Sequence, residues 1–442
     1  MPGTSGIAVG VRSVENFQYY NFKFPAGVTT GAVALKFTGA GAVVLSDGKT
    51  IPSVIQSVDI EVGGAFPGVG TRLVLVDGNI QTSDGSGTEI FTQETASGNM
   101  GMYVAIEYDL DYQSDGGSLV AVIRSATVAE NSKSLSEAFL SAAILVNQGA
   151  DLAAQKGMNN AVMAAYESVG WNIFSAIAFS HLRHETGSHV DASSYSLQVG
   201  VSKGFDIAGS RLTVGVFVEG GRGSYDTYNH YPGVGDIRGK GKGEYLGAGI
   251  LARLELARSD IGNPYFEASV RMGRAKNDFS SEDMPANINS YDIGSNYYGF
   301  HVGVGYDFRL GEWGRLDLGA RYFQNHRDGI DTFAPSGAPV SFHAVDSKRL
   351  RLGARLFFLA NDMFSPYIGA AWEKEFDGES SGSVFNQAIP EVPSLKGNTG
   401  IGELGVSVRF SSSVPIILDL GVQGYTGKRR GFGGGVTLSV EF

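Results

Sequence analysis

The stretch Lys348-Arg349-Leu350-Arg351-Leu352-Gly353-Ala354-Arg355-Leu356-Phe357-Phe358 decides the fold. In an extended chain successive side chains point to opposite faces, so Leu350, Leu352, Ala354, Leu356 and Phe358 share one face. Arg349, Arg351, Gly353 and Arg355 share the other. The same period of two recurs in Leu212, Val214, Val216 and Val218 against Thr213, Gly215 and Glu219. It recurs again in Val302, Val304, Tyr306 and Phe308 against His301, Gly303, Gly305 and Asp307, and in Leu316, Leu318, Ala320 and Tyr322 against Asp317, Gly319 and Arg321. A soluble sandwich buries its apolar face. Here the charged face is the one that must be enclosed, because mixed charges facing a watery lumen cost little, whereas in a dry core each requires a partner.

Working outward from that stretch, twelve alternating segments are predicted, at about 171–181, 193–202, 211–221, 243–256, 264–275, 296–309, 313–324, 343–358, 365–376, 398–410, 414–425 and 431–442. Twelve is even, as in single-chain bacterial outer-membrane barrels. The connections alternate in length. Gly223 to Lys242, Lys276 to Ser295, Asn325 to Phe342 and Asp377 to Gly397 are long, whereas Lys203 to Ser210, Leu310 to Glu312 and Ser411 to Ser413 are short. Short inner turns and long external loops are the barrel pattern, although the last external hairpin, Thr426 to Arg430, is short too. Arg271, Asp317, Arg321, Arg349, Arg351, Arg355, Glu403 and Arg409 are expected to face the lumen. Trp171, Tyr195, Tyr265, Tyr297, Trp313, Tyr322, Trp372, Tyr425 and Phe432 are expected to form aromatic girdles.

Upstream of the segments the period changes. Ser134-Leu135-Ser136-Glu137 has capping-box spacing. Leu135, Phe139, Ala142, Val146 and Ala153 then recur at helical spacing among small residues that include Gly149 and Ala150. A helix over about 134–156, ending at Gly157, would be about 35 Å long at 1.5 Å per residue. That spans a bilayer core of about 30 Å. Glu137, Asn147, Gln148, Asp151 and Lys156 make it too polar for lipid, so it suits the inside of a polar pore.

The first 130 residues are rich in Gly, Val, Thr and Asp. Short β-like stretches (Val33 to Phe37, Val54 to Val62, Arg72 to Val76) are separated by turns at Asp47-Gly48, Gly63-Gly64, Asp77-Gly78 and Asp84 to Gly87. A sandwich and the coils of a β-solenoid both fit, and a solenoid-like arrangement is expected. The chain has 63 glycines, against a usual share of about 7%. Its net charge of −11 argues against nucleic-acid binding, which needs clustered Lys and Arg. No cysteine is present, which rules out a disulfide framework or thiolate chemistry and suits passage through the periplasm unfolded. No apolar run approaches a membrane-spanning helix, and Met1 to Gly6 lacks signal-peptide features, so an exported chain would have lost its signal or be a fragment.

Asn131 to Leu140, then Val146-Asn147-Gln148-Gly149-Ala150-Asp151-Leu152, then twelve alternating segments, resembles the C-terminal translocator of autotransporters (type V secretion). Tyr20-Asn21-Phe22-Lys23-Phe24-Pro25 through Leu119 to Ile123 resembles the passenger end that precedes such barrels. The final segment carries Phe432, Val436, Leu438, Val440 and Phe442, similar to the signal read by the barrel-assembly machinery of Gram-negative bacteria. The resemblance implies an all-β protein: a twelve-stranded antiparallel transmembrane barrel over 170–442, a linker with a pore-threading helix over 131–169, and a passenger end over 1–130. It implies an outer-membrane anchor that takes part in exporting and displaying its own passenger, monomeric, in contact with outer-membrane lipid, without cofactor or nucleic acid. The passenger would meet host or environmental surfaces.

Some autotransporters cut themselves at an Asn pair. Asn159-Asn160 is such a pair, but its neighbours Gly157-Met158 and Ala161-Val162-Met163 depart from the self-cleaving pattern, and the blander reading is a polar helix end. His181, His184, Glu185 and His189 are expected in the first external loop, where Ser188 stands in the place a zinc-protease motif needs for its second histidine. Gly48-Lys49-Thr50 lacks the P-loop glycine, since position 43 is Val. The competing readings are a porin-like channel, which should lack the helix, and an outer-membrane hydrolase with its groups on the rim loops.

Overall fold

The computed structural model describes residues 17–440 apart from 39–42, 46–52, 62–65, 79, 82–91, 102–103, 114–116, 167–169, 232–234, 258, 285–288, 336, 360–362 and 411–415. The turns at Asp47-Gly48, Gly63-Gly64 and Asp84 to Gly87, the Gly48-Lys49-Thr50 triplet and Phe442 lie outside the described residues. Two compact units result. One is built from the chain before Lys133 with the segments 336–340 and 383–390, and the other from the remainder.

The first unit is a two-coil solenoid end closed by antiparallel strands. Strands β1 (Tyr19–Phe24), β2 (Val33–Lys36) and β3 (Val43–Val44) are followed by β4 (Val54–Ile60), β5 (Arg72–Asp77) and β6 (Ile80–Gln81). Each strand of the first coil pairs in parallel with its successor: Tyr19 beside Val54, Val33 beside Val74, Val43 beside Ile80. This decides for the solenoid over the sandwich. β7 (Thr95–Met100), β8 (Val104–Gln113) and β9 (Ser118–Val128) then pair antiparallel with one another, and β9 with β5. Phe24, Val43, Leu45, Val58, Leu73, Leu75, Val104, Tyr108 and Ala121 fill the interior.

The second unit opens with a helix, α1 (Lys133–Leu152), which runs through one π-type turn at Ala153–Gly157 into α2 (Met158–Tyr166). Gly157 therefore does not end the helix. Its missing Cβ makes room for the Gln198 side chain, which a Cβ would overlap. Helical structure from Lys133 to Tyr166 is about 50 Å long at 1.5 Å per residue. Among the described residues no helix is long and apolar enough to cross a membrane.

Around the helix closes a barrel. Its strands are β10 (Asn172–Glu185), β11 (His189–Ile207), β12 (Ser210–Tyr231), β13 (Gly235–Glu255), β14 (Gly262–Ser280), β15 (Ser290–Arg309) and β16 (Gly314–Arg327). After the short loop strands β17 (Ile330–Phe333) and β18 (Pro339–Phe342) come β19 (Val345–Phe358) and β20 (Phe364–Glu375). After β21 (Gly382–Val384) and β22 (Gln387–Ala388), β23 (Gly397–Phe410), β24 (Ile416–Gly427) and β25 (Arg429–Val440) complete it. Twelve strands pair antiparallel in chain order, and β25 closes on β10 with Leu438 beside Ser175. A closed barrel leaves no backbone edge, which is what a strand protein needs in lipid.

The strands outrun the segments read from the sequence. β12 runs on to Tyr231 and β13 starts at Gly235, so the described residues of the long loop expected from Gly223 to Lys242 are instead paired strand. Beyond the apolar band the outward face turns polar (Ser224, Asp226, Lys240, Lys242), so the apolar alternation fades while backbone pairing continues. His181, His184, Glu185 and His189 likewise sit on β10 and β11, not in a loop, with Glu185 directly opposite His189.

Candidate functional site: the occupied lumen

Strand alternation sorts the barrel wall. Leu246, Met272 and Val218 point outward, exposed by 72%, 68% and 60%. Arg271 and Glu219, adjacent to Met272 and Val218, point inward and are buried, as is Glu267 beside the exposed Phe266. Of the residues expected inside, Arg271, Arg349, Arg351 and Glu403 are buried, and Arg321 and Arg355 are nearly so. Asp317 accepts a hydrogen bond from Tyr265 Oη at 2.7 Å, and Arg409 lies at the lumen mouth near Ser407 and Asp419. Three of the expected girdle aromatics belong inside instead. Tyr265 and Tyr297 share parity with Glu267 and His301, and Tyr425 donates to Gln423 at 2.5 Å. Trp171, Tyr195, Trp313, Trp372 and Phe432 are exposed on the outside.

The helix meets two kinds of wall. Part of its surface packs dry: Ala153, Met158, Ala161 and Ala164 form one cluster with Phe174, Phe217 and Leu251, so the lumen is not polar all round. Leu145 and Val146 form a second with Tyr245, Ala275 and Tyr297. Small residues allow this close approach. At Gly149 a Cβ would overlap the Tyr245 hydroxyl and come within 2.7 Å of Arg271 Nη1. Leu135, Phe139, Ala142 and Val146 are all buried.

Between and beyond these clusters the barrel reaches for the helix with ionic and amide groups. Asp151 Oδ1 lies 2.7 Å from Arg349 Nη1 and 2.9 Å from Arg351 Nη2, and its Oδ2 lies 3.2 Å from Arg429 Nη1. Glu373 ties the same arginines together, at 2.5 Å from both Arg351 Nη2 and Arg429 Nη2. Further along, Lys156 Nζ pairs with Asp419 Oδ1 at 2.7 Å. Barrel side chains also donate to helix carbonyls: Arg271 to Val146 at 2.5 Å, Arg327 to Phe139 at 2.6 Å, and Asn277 to Ala138 at 2.9 Å. A charged group inside a protein is tolerable only when paired and hydrogen-bonded, and Asp151 and Glu373 each have several arginine partners.

Glu137 departs from the capping-box expectation. It does not reach back to the helix end. Its carboxylate accepts from Thr186 Oγ1 at 2.7 Å, Ser188 Oγ at 2.5 Å and Asn229 Nδ2 at 2.6 Å, which pins the first turn to β12 and the β10–β11 turn. Asn159 and Asn160 lie within α2 rather than at a helix end. Asn159 Oδ1 accepts from Arg253 at 3.0 Å, and Asn160 Nδ2 donates to the carbonyls of Ser175 and Leu438 at 2.7 and 2.9 Å. His184 is buried and faces the lumen, and among the described residues no group of three His, Asp or Glu is placed to hold a metal.

Arg327, Glu373 and Arg429 were missed from the sequence. Arg327 lies past the strand end read from hydropathy, and Arg429 sits in a hairpin with no alternation to read. Glu373 was legible, because it neighbours the outward Trp372.

The direction of threading follows from these contacts. Lys133 pairs with Glu391, and Ser136 accepts from Ser380, both on the loop after β20. Tyr166 accepts from Arg211 at 2.8 Å, beside the β11–β12 turn. The helix thus enters the lumen at one end of the barrel and leaves at the other, where β10 begins and β25 ends. A closed twelve-strand barrel threaded by the segment that precedes its first strand is the feature that decides identity, and the autotransporter beta-domain family matches residues 175–421. The chain belongs to that family. Similar solved structures are the β domain of the Bordetella autotransporter BrkA (16% identity, 62% of this chain and 99% of that one, TM-score 0.48) and the translocator domain of NalP from Neisseria meningitidis (16%, 67% and 95%, 0.49). The transport unit of AIDA-I from Escherichia coli is also similar (14%, 65% and 97%, 0.47). None of the curated proteins is significantly similar in sequence. As an autotransporter β-domain, the barrel is an outer-membrane anchor and translocator for a passenger displayed at the cell surface.

Proposed function

We propose that the chain before residue 131 is the end of the passenger, that 131–169 is the linker left in the pore after export, and that 170–442 is the translocator. The observation that carries this reading is the helix, bonded along its length to the inner wall by Asp151, Lys156 and its own carbonyls. Held so, it anchors the passenger and fills the lumen. The barrel itself does no chemistry. Asn159 and Asn160 serve as anchors, their amides committed to the wall, and the peptide between them stays whole. Outer-membrane lipid covers the apolar outer face, and the barrel-assembly machinery engages the last strand through Phe432, Val436, Leu438, Val440 and Phe442. The passenger meets host or environmental surfaces, and the protein works as a monomer.

Single cysteines test the orientation, and the native chain contains none. Cysteine at His230, near the β12–β13 tip, should react with an impermeant maleimide on intact cells. Cysteine at Asp260, in the turn before β14, should react only after the outer membrane is opened. The reverse pattern would sink the reading.

A further inference from the structure

We propose that the outer surface of β12 to β14 carries a binding site for the phosphate groups of an outer-leaflet lipid headgroup. The inference rests on the outer-membrane orientation argued above. Register fixes the geometry. Val218, Ala248, Met272 and Tyr298 lie side by side on the outward face and form an apolar row. One outward step along the strands, Leu246 is flanked by Gly220 and Arg274. One step further, Arg222, Glu244 and Lys276 lie side by side, and Lys242 follows two residues from Glu244.

Three cations thus appear within two steps of the last apolar row, where lipid tails give way to headgroups. At about 4.8 Å between strands, Arg222 and Lys276 are about 10 Å apart at Cα, and Arg274 adjoins Lys276 on the same strand. That spacing lets one headgroup be gripped from several sides. Arginine presents a planar fork that binds phosphate through two parallel hydrogen bonds, and lysine adds a point charge.

The cations are uncommitted. Arg222, Lys242, Arg274 and Lys276 are exposed, and none is within ion-pair distance of Glu244 or any other described carboxylate. Several other cations on the external rim are paired: Arg183 with Asp191 at 2.7 Å, Lys348 with Asp377 at 2.9 Å, Lys240 with Glu282 at 2.8 Å, whereas Arg238 lies over the Tyr228 ring. Asp278 and Asp292 lie level with Lys242, whose backbone N–H donates to Asp278 at 2.7 Å, and with Asp226 they lie farther from the apolar band than Arg222, Arg274 and Lys276. Glu244 offsets one charge and leaves the lowest two rows with a net excess of positive charge. Cationic groups at this depth are drawn to an anionic lipid surface.

The test uses the full chain, folded in detergent, and native mass spectrometry with lipid A carrying its phosphates as the probe. The protein should retain this lipid and release it at least tenfold more readily when the phosphates are removed. The variant with Arg222→Gln, Lys242→Gln, Arg274→Gln and Lys276→Gln should show the same loss, whereas Lys374→Gln with Arg430→Gln should not. All substituted side chains point outward, and a heat-modifiable band on gels checks that each variant is folded. Equal retention by the fourfold variant overturns the proposal. So does full displacement by inorganic phosphate, which would mark a simple anion site. Lipid binding that survives alongside a reversed cysteine pattern would retain the site and discard only the orientation.

Discussion

Replacing Asp151 with Asn leaves the shape of the helix unchanged but removes the charge that three arginines share. Its oxygens lie 2.7, 2.9 and 3.2 Å from Arg349, Arg351 and Arg429. At an effective dielectric near 20, each such contact is worth on the order of 5 kcal/mol before desolvation is subtracted. Removing one partner from a buried charge network costs roughly 3–5 kcal/mol net. Glu373 stays with Arg351 and Arg429 and absorbs part of the loss, which favours the lower value. A cavity of about 80 Å³ beside Asp151 has room for a few waters, which screen part of the rest and also favour the lower value. A cost of about 3 kcal/mol corresponds to roughly a hundredfold change in a local opening equilibrium. Amide hydrogen exchange over residues 145–157 of the folded chain should therefore accelerate about a hundredfold in Asp151→Asn, with β12 to β15 unchanged. Adding Arg349→Gln removes an uncompensated positive charge and should restore at least tenfold of the protection. Helix exchange within about threefold of wild type would refute the reasoning.

Four further outcomes follow from the same geometry. Gly149→Leu forces a side chain into Tyr245 and Arg271, so the helix should be expelled from the lumen or the folded yield in detergent should fall, as overpacking costs about 1–3 kcal/mol or more. Arg327→Ala strips a donor from the carbonyl of Phe139 and from Asn277, and should lower the unfolding free energy by about 2–4 kcal/mol, read in denaturant by loss of heat-modifiable migration. In the first unit Gly98 lies against β4, and a Cβ there would overlap the Val58 backbone, so Gly98→Val should make residues 17–128 protease-sensitive while the barrel still folds. Deleting residues 133–157 should raise single-channel conductance in planar bilayers several-fold, because the charged lumen loses its occupant.

The barrel was legible because lipid outside and water inside impose a period of two. Leu350 to Phe358 shows it without any structure. Where lipid ends, the imprint ends. Ser224 to Tyr231 and Gly235 to Lys242 are strand by backbone pairing yet carry no apolar face, so hydropathy reads them as loop. The inward placement of Tyr265, Tyr297 and Tyr425 follows from parity with charged neighbours, a stronger guide than the habit of aromatics to sit at interfaces. Helix length was underread at Gly157, because a glycine that ends a helix and one that admits a neighbour look alike in sequence. The partners of Asp151 are far along the chain, in Arg349 and Arg429, and only barrel closure brings them together. Parity places Arg349 in the lumen but cannot say at what height it meets the helix.

The central claim is that the chain before α1 emerges outside the cell through its own barrel. An epitope tag fused ahead of residue 17, on cells that export the chain, tests it with protease added to intact cells. The account predicts that the tag is digested while the barrel remains embedded and folded. A tag protected until the outer membrane is opened would contradict it, and would make the first unit a periplasmic domain below a plugged channel.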